Sequence, residues 1–120
     1  MKLTAEKYHG LGNDYLVYDP NKNKLELNPR RVQLLCNRNF GVGADGILEG
    51  PLLSGEGISM TVWNPDGSRT ERSGNGVRIF AKYLKDGGYV QKKNFTIHMA
   101  GGEVFVHYLN EEGSRLKVSM

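Results

Sequence analysis

The segment that most constrains the fold is SGNGVRIFAKYLKDGG, at residues 73–88. Four of its apolar residues follow the i, i+3, i+4, i+7 spacing of one helix face, and two more widen that face. They are Val77, Phe80, Ala81 and Leu84, with Ile79 and Tyr83 beside them. So wide an apolar face is typical of a helix that its neighbours cover on several sides. The sequence therefore predicts a helix that is buried more deeply than a surface helix.

Short strands separated by turns are predicted for most of the remaining sequence. Before the helix, residues that favour β-structure lie between clusters of turn residues, and after it apolar and polar residues alternate. The predicted strands are 3–9, 15–18, 47–52, 58–63, 95–99, 104–108 and 116–120. Successive strands are close enough in the sequence to pair as hairpins. About seven strands and two helices therefore predict an α+β fold, which we favour over βαβ winding.

A further helix is predicted to begin at Pro29. Asn28 is a suitable N-cap residue, and proline is favoured at the first helical position. Val32, Leu35 and Cys36 then fall on one face of this helix. Because Cys36, the only cysteine, lies within that apolar face, we interpret it as a buried core residue and not as a catalyst.

Length and charge exclude several classes of protein. A chain of 120 residues fits one domain with a modest core, and no linker divides it. Lys and Arg number 16 against 13 Asp and Glu, and the two signs are interleaved, so we expect no nucleic-acid partner. No run approaches the ~20 apolar residues that span a bilayer, so no membrane partner is expected. The single cysteine and the absence of a secretory signal indicate the cytoplasm.

Three glycine-bearing segments could carry chemistry: HGLGND at 9–14, FGVGADG at 40–46 and SGNGVR at 73–78. Only the third directly precedes a strong helix, whose N-terminal N–H groups and dipole favour a carboxylate or phosphate. The alternative is that Ser73 is only an N-cap residue and that Gly74 and Gly76 ease close packing. The spacing matches neither common nucleotide-binding glycine motif. No His, Cys, Asp or Glu residues have the spacing of metal ligands, and no lysine has a sequence context that suggests a Schiff base with a cofactor. We therefore expect no metal and no cofactor.

Four motifs together resemble the first half of diaminopimelate epimerase: HGLGNDY, NRNFGVGADGIL, WNPDGS and GNGVRIFAKYL, in that order. The resemblance implies an amino-acid epimerase that interconverts LL- and meso-diaminopimelate without a cofactor. It implies an α+β lobe in which a mixed, mostly antiparallel β-sheet is rolled into a barrel around a central helix. In the family two such lobes enclose the active site, so residues 1–120 resemble an N-terminal lobe whose C-terminal lobe is absent.

The resemblance also assigns roles to five residues. In the family a cysteine directly before GNG is one of two acid/base groups, and that catalytic position is Ser73 here. Substrate-binding roles carry over to Asn13, Asn64, Gly74 and Asn75, although an asparagine at position 64 also suits a turn. A serine hydroxyl is a far weaker acid than a thiol. We therefore expect the isolated chain to be inactive or impaired as an epimerase.

Several alternatives stay open at this point. Ser73 fits an engineered replacement, a natural subgroup with altered chemistry, or a relative that has lost activity. The chain also fits a non-catalytic protein that binds amino acids or carboxylates, or a racemase or isomerase of the same superfamily with another substrate. A lobe without its mate could pair with a second copy through the exposed face or an open strand edge, which would give a homodimer.

Overall fold

The structure, a computed structural model, describes residues 4–10, 12–39, 41–55, 57–70 and 73–119. The elements in these ranges are β1 (Ala5–Gly10), β2 (Asn13–Tyr18), α1 (Pro29–Cys36), β3 (Gly46–Ser54), β4 (Gly57–Trp63), β5 (Arg69–Thr70), α2 (Gly74–Asp86), β6 (Asn94–Met99), β7 (Gly102–Tyr108) and β8 (Leu116–Ser119). Both predicted helices and all seven predicted strands are present, and β5 is additional. The outermost predicted strand positions, Leu3 and Met120, lie outside the described residues. Neither helix in the described ranges is long and apolar enough to cross a membrane.

The strands form one mixed sheet in the order β1-β2-β3-β4-β6-β7-β8, and β5 pairs with β4 beside this path. Hairpins of antiparallel neighbours occur at β1–β2, β3–β4, β6–β7 and β7–β8. The hairpin prediction is wrong at two places, because β2 pairs with β3 and β4 pairs with β6 in parallel. In each case a helix stands between the two strands, and parallel neighbours need such a crossover. The sheet is therefore mixed and mostly antiparallel, as predicted.

The sheet curls into a half-barrel around α2. This helix contacts β1, β2, β3 and β8, so it touches both ends of the sheet. A glycine is required where the helix meets β3, because a Cβ on Gly50 would lie 2.7 Å from Cζ of Phe80. Within the described residues, β1 and β8 do not pair with each other. The predicted α+β fold with a sheet rolled around a central helix is thus confirmed.

Two hydrophobic clusters lie on opposite faces of the first strands, because alternate residues of a strand point to opposite sides. Val17 of β2 belongs to the large cluster around α2, to which that helix contributes six buried residues. The neighbouring Leu16 belongs to a smaller cluster with Val32 and Cys36 of α1. The deep burial of α2 and the core position of Cys36 are both confirmed.

Asp19 is a carboxylate buried directly after β2, with 2% of the residue exposed. Its Oδ2 accepts hydrogen bonds from the hydroxyls of Tyr83 at 2.6 Å and Tyr89 at 2.5 Å, and its Oδ1 accepts from the Asn21 N–H at 2.8 Å. Burial alone would raise the pKa of this carboxyl group, but the donors outweigh burial and hold the pKa of Asp19 below its usual value. Asp19 therefore ties the end of β2 to α2 and to the segment that follows α2.

Candidate active site

The N-terminus of α2 is capped by Ser73, which has an extended backbone. Its Oγ accepts a hydrogen bond from the Gly76 N–H at 3.1 Å, and its carbonyl oxygen accepts from the Val77 N–H at 2.9 Å. Ser73 is thus an N-cap residue, as one interpretation of the sequence predicts. Within the described residues, the N–H groups of Gly74 and Asn75 donate to no acceptor. Two donors therefore remain at the positive end of the helix dipole.

A hydrogen bond joins two of the glycine-bearing motifs at this helix end. The Asn75 Nδ2 donates to the Asn13 Oδ1 at 2.9 Å, across 62 residues of sequence. Asn13 begins β2, and α2 packs against that strand. The structure therefore brings together four of the five predicted site residues, since Ser73 and Gly74 directly precede Asn75.

The third glycine-bearing motif also reaches this place, through Asp45. Its Oδ2 accepts from the Asp14 N–H at 2.8 Å, and its Oδ1 accepts from the Arg38 guanidinium at 2.9 Å. The pKa of Asp45 lies below its usual value chiefly because of the Asp14 N–H, and the Asn13 side-chain amide and Arg38 act in the same direction. Asp45 is thus an ionised carboxylate that is hydrogen-bonded to Asp14, the residue after Asn13.

Asn64 lies at the same end of the sheet but is engaged in a turn. It directly follows β4, whose end lies beside the start of β3 and hence near the start of β2. Its Nδ2 donates to the Ser68 Oγ at 2.9 Å, and its Oδ1 accepts from the Thr70 Oγ1 at 2.9 Å. These contacts show that Asn64 stabilises a turn. A role of Asn64 in substrate binding stays a prediction.

The only cysteine is not part of this site. Cys36 is 5% exposed, and burial raises the pKa of its thiol to about 11. A thiol with so high a pKa is almost entirely protonated near neutral pH. Across the described parts of the chain, no three His, Cys, Asp or Glu side chains are grouped as a metal site would need.

Comparison with known sequences identifies the family. The sequence model of the diaminopimelate epimerase family matches residues 5–120. The chain belongs to this family. A relative from Nostoc sp., named diaminopimelate epimerase 2, is 48% identical over 95% of the chain, and the match covers 40% of that relative. Diaminopimelate epimerase from Synechocystis sp. is 41% identical over 100% of the chain, and 43% of that relative is covered. The chain thus spans about two fifths of the length of these diaminopimelate epimerases.

Solved structures with the same fold include proteins whose sequences differ greatly from that of this chain. A phenazine biosynthesis protein of the PhzF family from Enterococcus faecalis has a TM-score of 0.60 at 15% identity, covering 80% of this chain and 34% of that one. A PhzF family protein from Bacillus anthracis has a TM-score of 0.60 at 16% identity, covering 95% of this chain and 37% of that one. At this identity the likeness supports the half-barrel fold and nothing further.

Sequence reasoning did not single out Asp45 as a site residue. Its only signal was its place in FGVGADG, where an aspartate before a glycine is also an ordinary turn residue. Its hydrogen bonds with Asp14, the residue after Asn13, depend on the parallel pairing of β2 and β3, which no local pattern showed.

Proposed function

We propose that this chain forms one half of the active site of a cofactor-independent amino-acid epimerase that acts on diaminopimelate. A second lobe would supply the other half, and the cytoplasm is the proposed compartment. The single observation that carries the proposal is the hydrogen bond from Asn75 to Asn13. It joins two family motifs beside the N–H groups of Gly74 and Asn75 at the start of α2.

The proposed role of this helix end is to bind the α-carboxylate of the substrate. The N–H groups of Gly74 and Asn75 are free donors in the described part of the chain, and the helix dipole adds about 0.3 to 1 kcal/mol for an exposed anion. When the α-proton leaves, negative charge spreads onto the carboxylate. Donors already in place stabilise this charge as it develops, which is the electrostatic part of the catalysis.

Ser73 is proposed to occupy the position of the acid/base group without acting as a base. Its Oγ already accepts the Gly76 N–H, and its hydroxyl has no side chain beside it in the described residues that takes its proton. Epimerisation also needs a second group on the opposite face of the α-carbon. We infer that the isolated chain binds its ligand but does not epimerise it.

A non-catalytic role in amino-acid binding is the second candidate function. It is favoured by Ser73, whose contacts are those of a helix cap. This candidate and the half-site proposal agree that the helix end binds a carboxylate, and differ in whether a thiol at position 73 restores proton transfer. An isomerase that acts on another substrate and a homodimer formed through the open edge strands stay predictions.

Gly74→Pro tests the proposed carboxylate contact. Proline has no N–H and is well tolerated at the first helical position, and the extended Ser73 suits the residue before a proline. A hydrogen bond to a charged group contributes ~1.5–3 kcal/mol, so we expect the affinity for diaminopimelate to fall by about tenfold or more. Isothermal titration calorimetry measures this affinity, with circular dichroism to confirm that α2 is retained.

Gly74→Ala is the matched control, because alanine adds a methyl group but keeps the N–H. We expect this variant to bind more tightly than Gly74→Pro. An equal loss of affinity in both variants would attribute the effect to bulk at the helix end. Unchanged affinity in Gly74→Pro would contradict the proposed contact.

A further inference from the structure

The Asn64 side chain lies on the face of the sheet that α2 covers. Alternate residues of a strand point to the same side, and Val62, two positions earlier in β4, belongs to the large cluster around α2. Thr70 pairs with Val62 across β4 and β5, and its hydroxyl donates to the Asn64 Oδ1 at 2.9 Å. Tyr15 of β2 also packs against this cluster, and Asn13 lies two positions before it. Asn64 and Asn13 therefore share one face of the sheet.

A single strand separates these two asparagines. Because β3 lies between β2 and β4, the start of β2 and the end of β4 are roughly 9–10 Å apart, which is two strand spacings. Diaminopimelate carries a carboxylate at each end of a seven-carbon chain, and one carboxylate is the proposed ligand of the α2 N-terminus. An extended chain of this length spans a distance of that order. The second carboxylate can therefore reach the Asn64 amide.

The turn after β4 directs the hydroxyl proton of Ser68. This hydroxyl donates to the Asp66 Oδ1 at 2.6 Å, and the Ser68 N–H donates to the same oxygen at 2.9 Å. An exposed aspartate is ionised near neutral pH and only accepts hydrogen bonds, so the proton lies between Ser68 and Asp66. The Ser68 Oγ is then an acceptor toward its other neighbour, and it accepts from the Asn64 Nδ2 at 2.9 Å.

Asp66 therefore determines the orientation of the Asn64 amide, which lies between two hydroxyls. The Thr70 hydroxyl can donate or accept, so by itself it would permit either orientation. The Ser68 hydroxyl permits only one, with Nδ2 facing Ser68 and Oδ1 facing Thr70. The second hydrogen of Nδ2 meets no acceptor in the described part of the chain. A carboxylate is the complement of this free N–H group.

We propose that Asp66 is a positioning residue that acts through the Ser68 hydroxyl and fixes the Asn64 amide, so that its free N–H group binds the second carboxylate of the ligand. This inference rests on the proposed function, because it concerns the same binding site. A reversed amide would present its carbonyl oxygen and would repel a carboxylate. Asp66 should therefore affect the contribution of the second carboxylate and leave the contact at α2 intact.

Ser68→Ala tests the inference through a ratio of two affinities. The ligands are LL-diaminopimelate and L-lysine, which is the same molecule without one carboxylate, so the ratio of their dissociation constants measures the contribution of the second carboxylate. Alanine keeps the backbone N–H that donates to Asp66 but removes the hydroxyl. We expect isothermal titration calorimetry to show that the ratio falls by about tenfold, with lysine affinity unchanged.

Thr70→Val is the matched control, because it removes the other hydroxyl beside Asn64. Asp66 and Ser68 still fix the amide in this variant, so we expect the wild-type ratio. Equal losses in Ser68→Ala and Thr70→Val would overturn the inference, as would an unchanged ratio in Ser68→Ala.

Two substitutions of Asp66 separate its acceptor oxygen from its charge. Asp66→Asn keeps an oxygen, which the Ser68 N–H holds in place, and should retain the ratio. Asp66→Ala removes the acceptor and should lower the ratio as far as Ser68→Ala does. Added to Ser68→Ala, it should lower the ratio no further, because the two residues act in one chain of hydrogen bonds. Additive losses, or equal losses in Asp66→Asn and Asp66→Ala, would overturn the inference.

The wild-type chain alone distinguishes failure of the inference from failure of the proposed function. If it binds both ligands equally well at the start of α2, the half-site proposal stands and the role of Asp66 is refuted. If it binds neither ligand, the proposed function is refuted, and the inference that depends on it is refuted as well.

Discussion

Ser73→Cys is expected to convert a site that binds diaminopimelate into one that exchanges its α-proton with solvent. A thiol at a helix N-terminus has a pKa below the usual ~8.5, so thiolate is available near neutral pH, whereas a serine hydroxyl stays protonated. A positioned acid/base group contributes about 10²–10⁴-fold to a proton transfer. We expect exchange to rise by about this factor, measured in deuterated water as loss of the α-proton signal in the NMR spectrum of the ligand.

Cys36 provides an internal reference for this experiment. Its thiol is buried and its pKa is raised to about 11, so an alkylating reagent near neutral pH should modify the introduced thiol and leave Cys36 intact. Alkylation of the variant should then return exchange to the Ser73 rate. Equal exchange by the Ser73 chain and the variant would refute the assignment of position 73 as the base. If the Ser73→Cys variant binds the ligand but exchanges the α-proton only at the uncatalysed rate, this assignment is refuted too.

Asp19→Ala is expected to destabilise the fold by at least about 1–3 kcal/mol. The substitution leaves the buried hydroxyl of Tyr83 without its acceptor, which costs about 1–3 kcal/mol, and it also removes the acceptor of the partly buried Tyr89 hydroxyl. Domains of this kind are stable by only about 5–15 kcal/mol, so the effect should be large in urea unfolding curves. Glu111→Ala, at an exposed position between β7 and β8, is the control and should change stability by less than about 0.5 kcal/mol. Similar unfolding midpoints for the two variants would contradict this role of Asp19.

The contribution of Asp19 should depend on pH in a definite direction. Its pKa is lower in the folded chain than the ordinary ~3.9, so its stabilisation is present above that pH and is lost as pH falls through the folded pKa. Burial and the bond to Asp19 raise the pKa of Tyr89 to about 12. The stabilisation by that hydroxyl is present below the ordinary pKa of ~10 and is lost as pH rises toward 12. The difference in the free energy of unfolding between wild type and Asp19→Ala should therefore be largest between about pH 4 and pH 10.

Elements with a clear local pattern were predictable, whereas strand partners were not. The spacing of Val77, Phe80 and Leu84 is a property of the helix itself, and α2 lies in the core as that spacing indicated. Alternation shows that a segment is a strand but does not show which strand lies beside it. The parallel pairs β2–β3 and β4–β6 depend on how α1 and α2 cross the sheet. The two residues of β5 are too few to alternate.

In the candidate site, too, some residues could be predicted from the sequence and others could not. The motifs singled out Asn13 and Asn75 through family resemblance, and the fold places them in contact. Asp45 and Asp66 both precede a glycine and look alike in the sequence. Their difference is tertiary, because Asp66 accepts from the nearby Ser68 within its own turn, whereas Asp45 accepts from Asp14 across the sheet.

An NMR titration of the ¹⁵N-labelled chain with diaminopimelate shows whether the start of α2 binds the carboxylate of this ligand. We expect saturable shifts, with one dissociation constant, for the backbone N–H groups of Gly74 and Asn75 and for the side-chain amides of Asn13 and Asn75. Shifts confined to other parts of the chain, or an absence of saturable shifts at this helix end, would contradict this expectation.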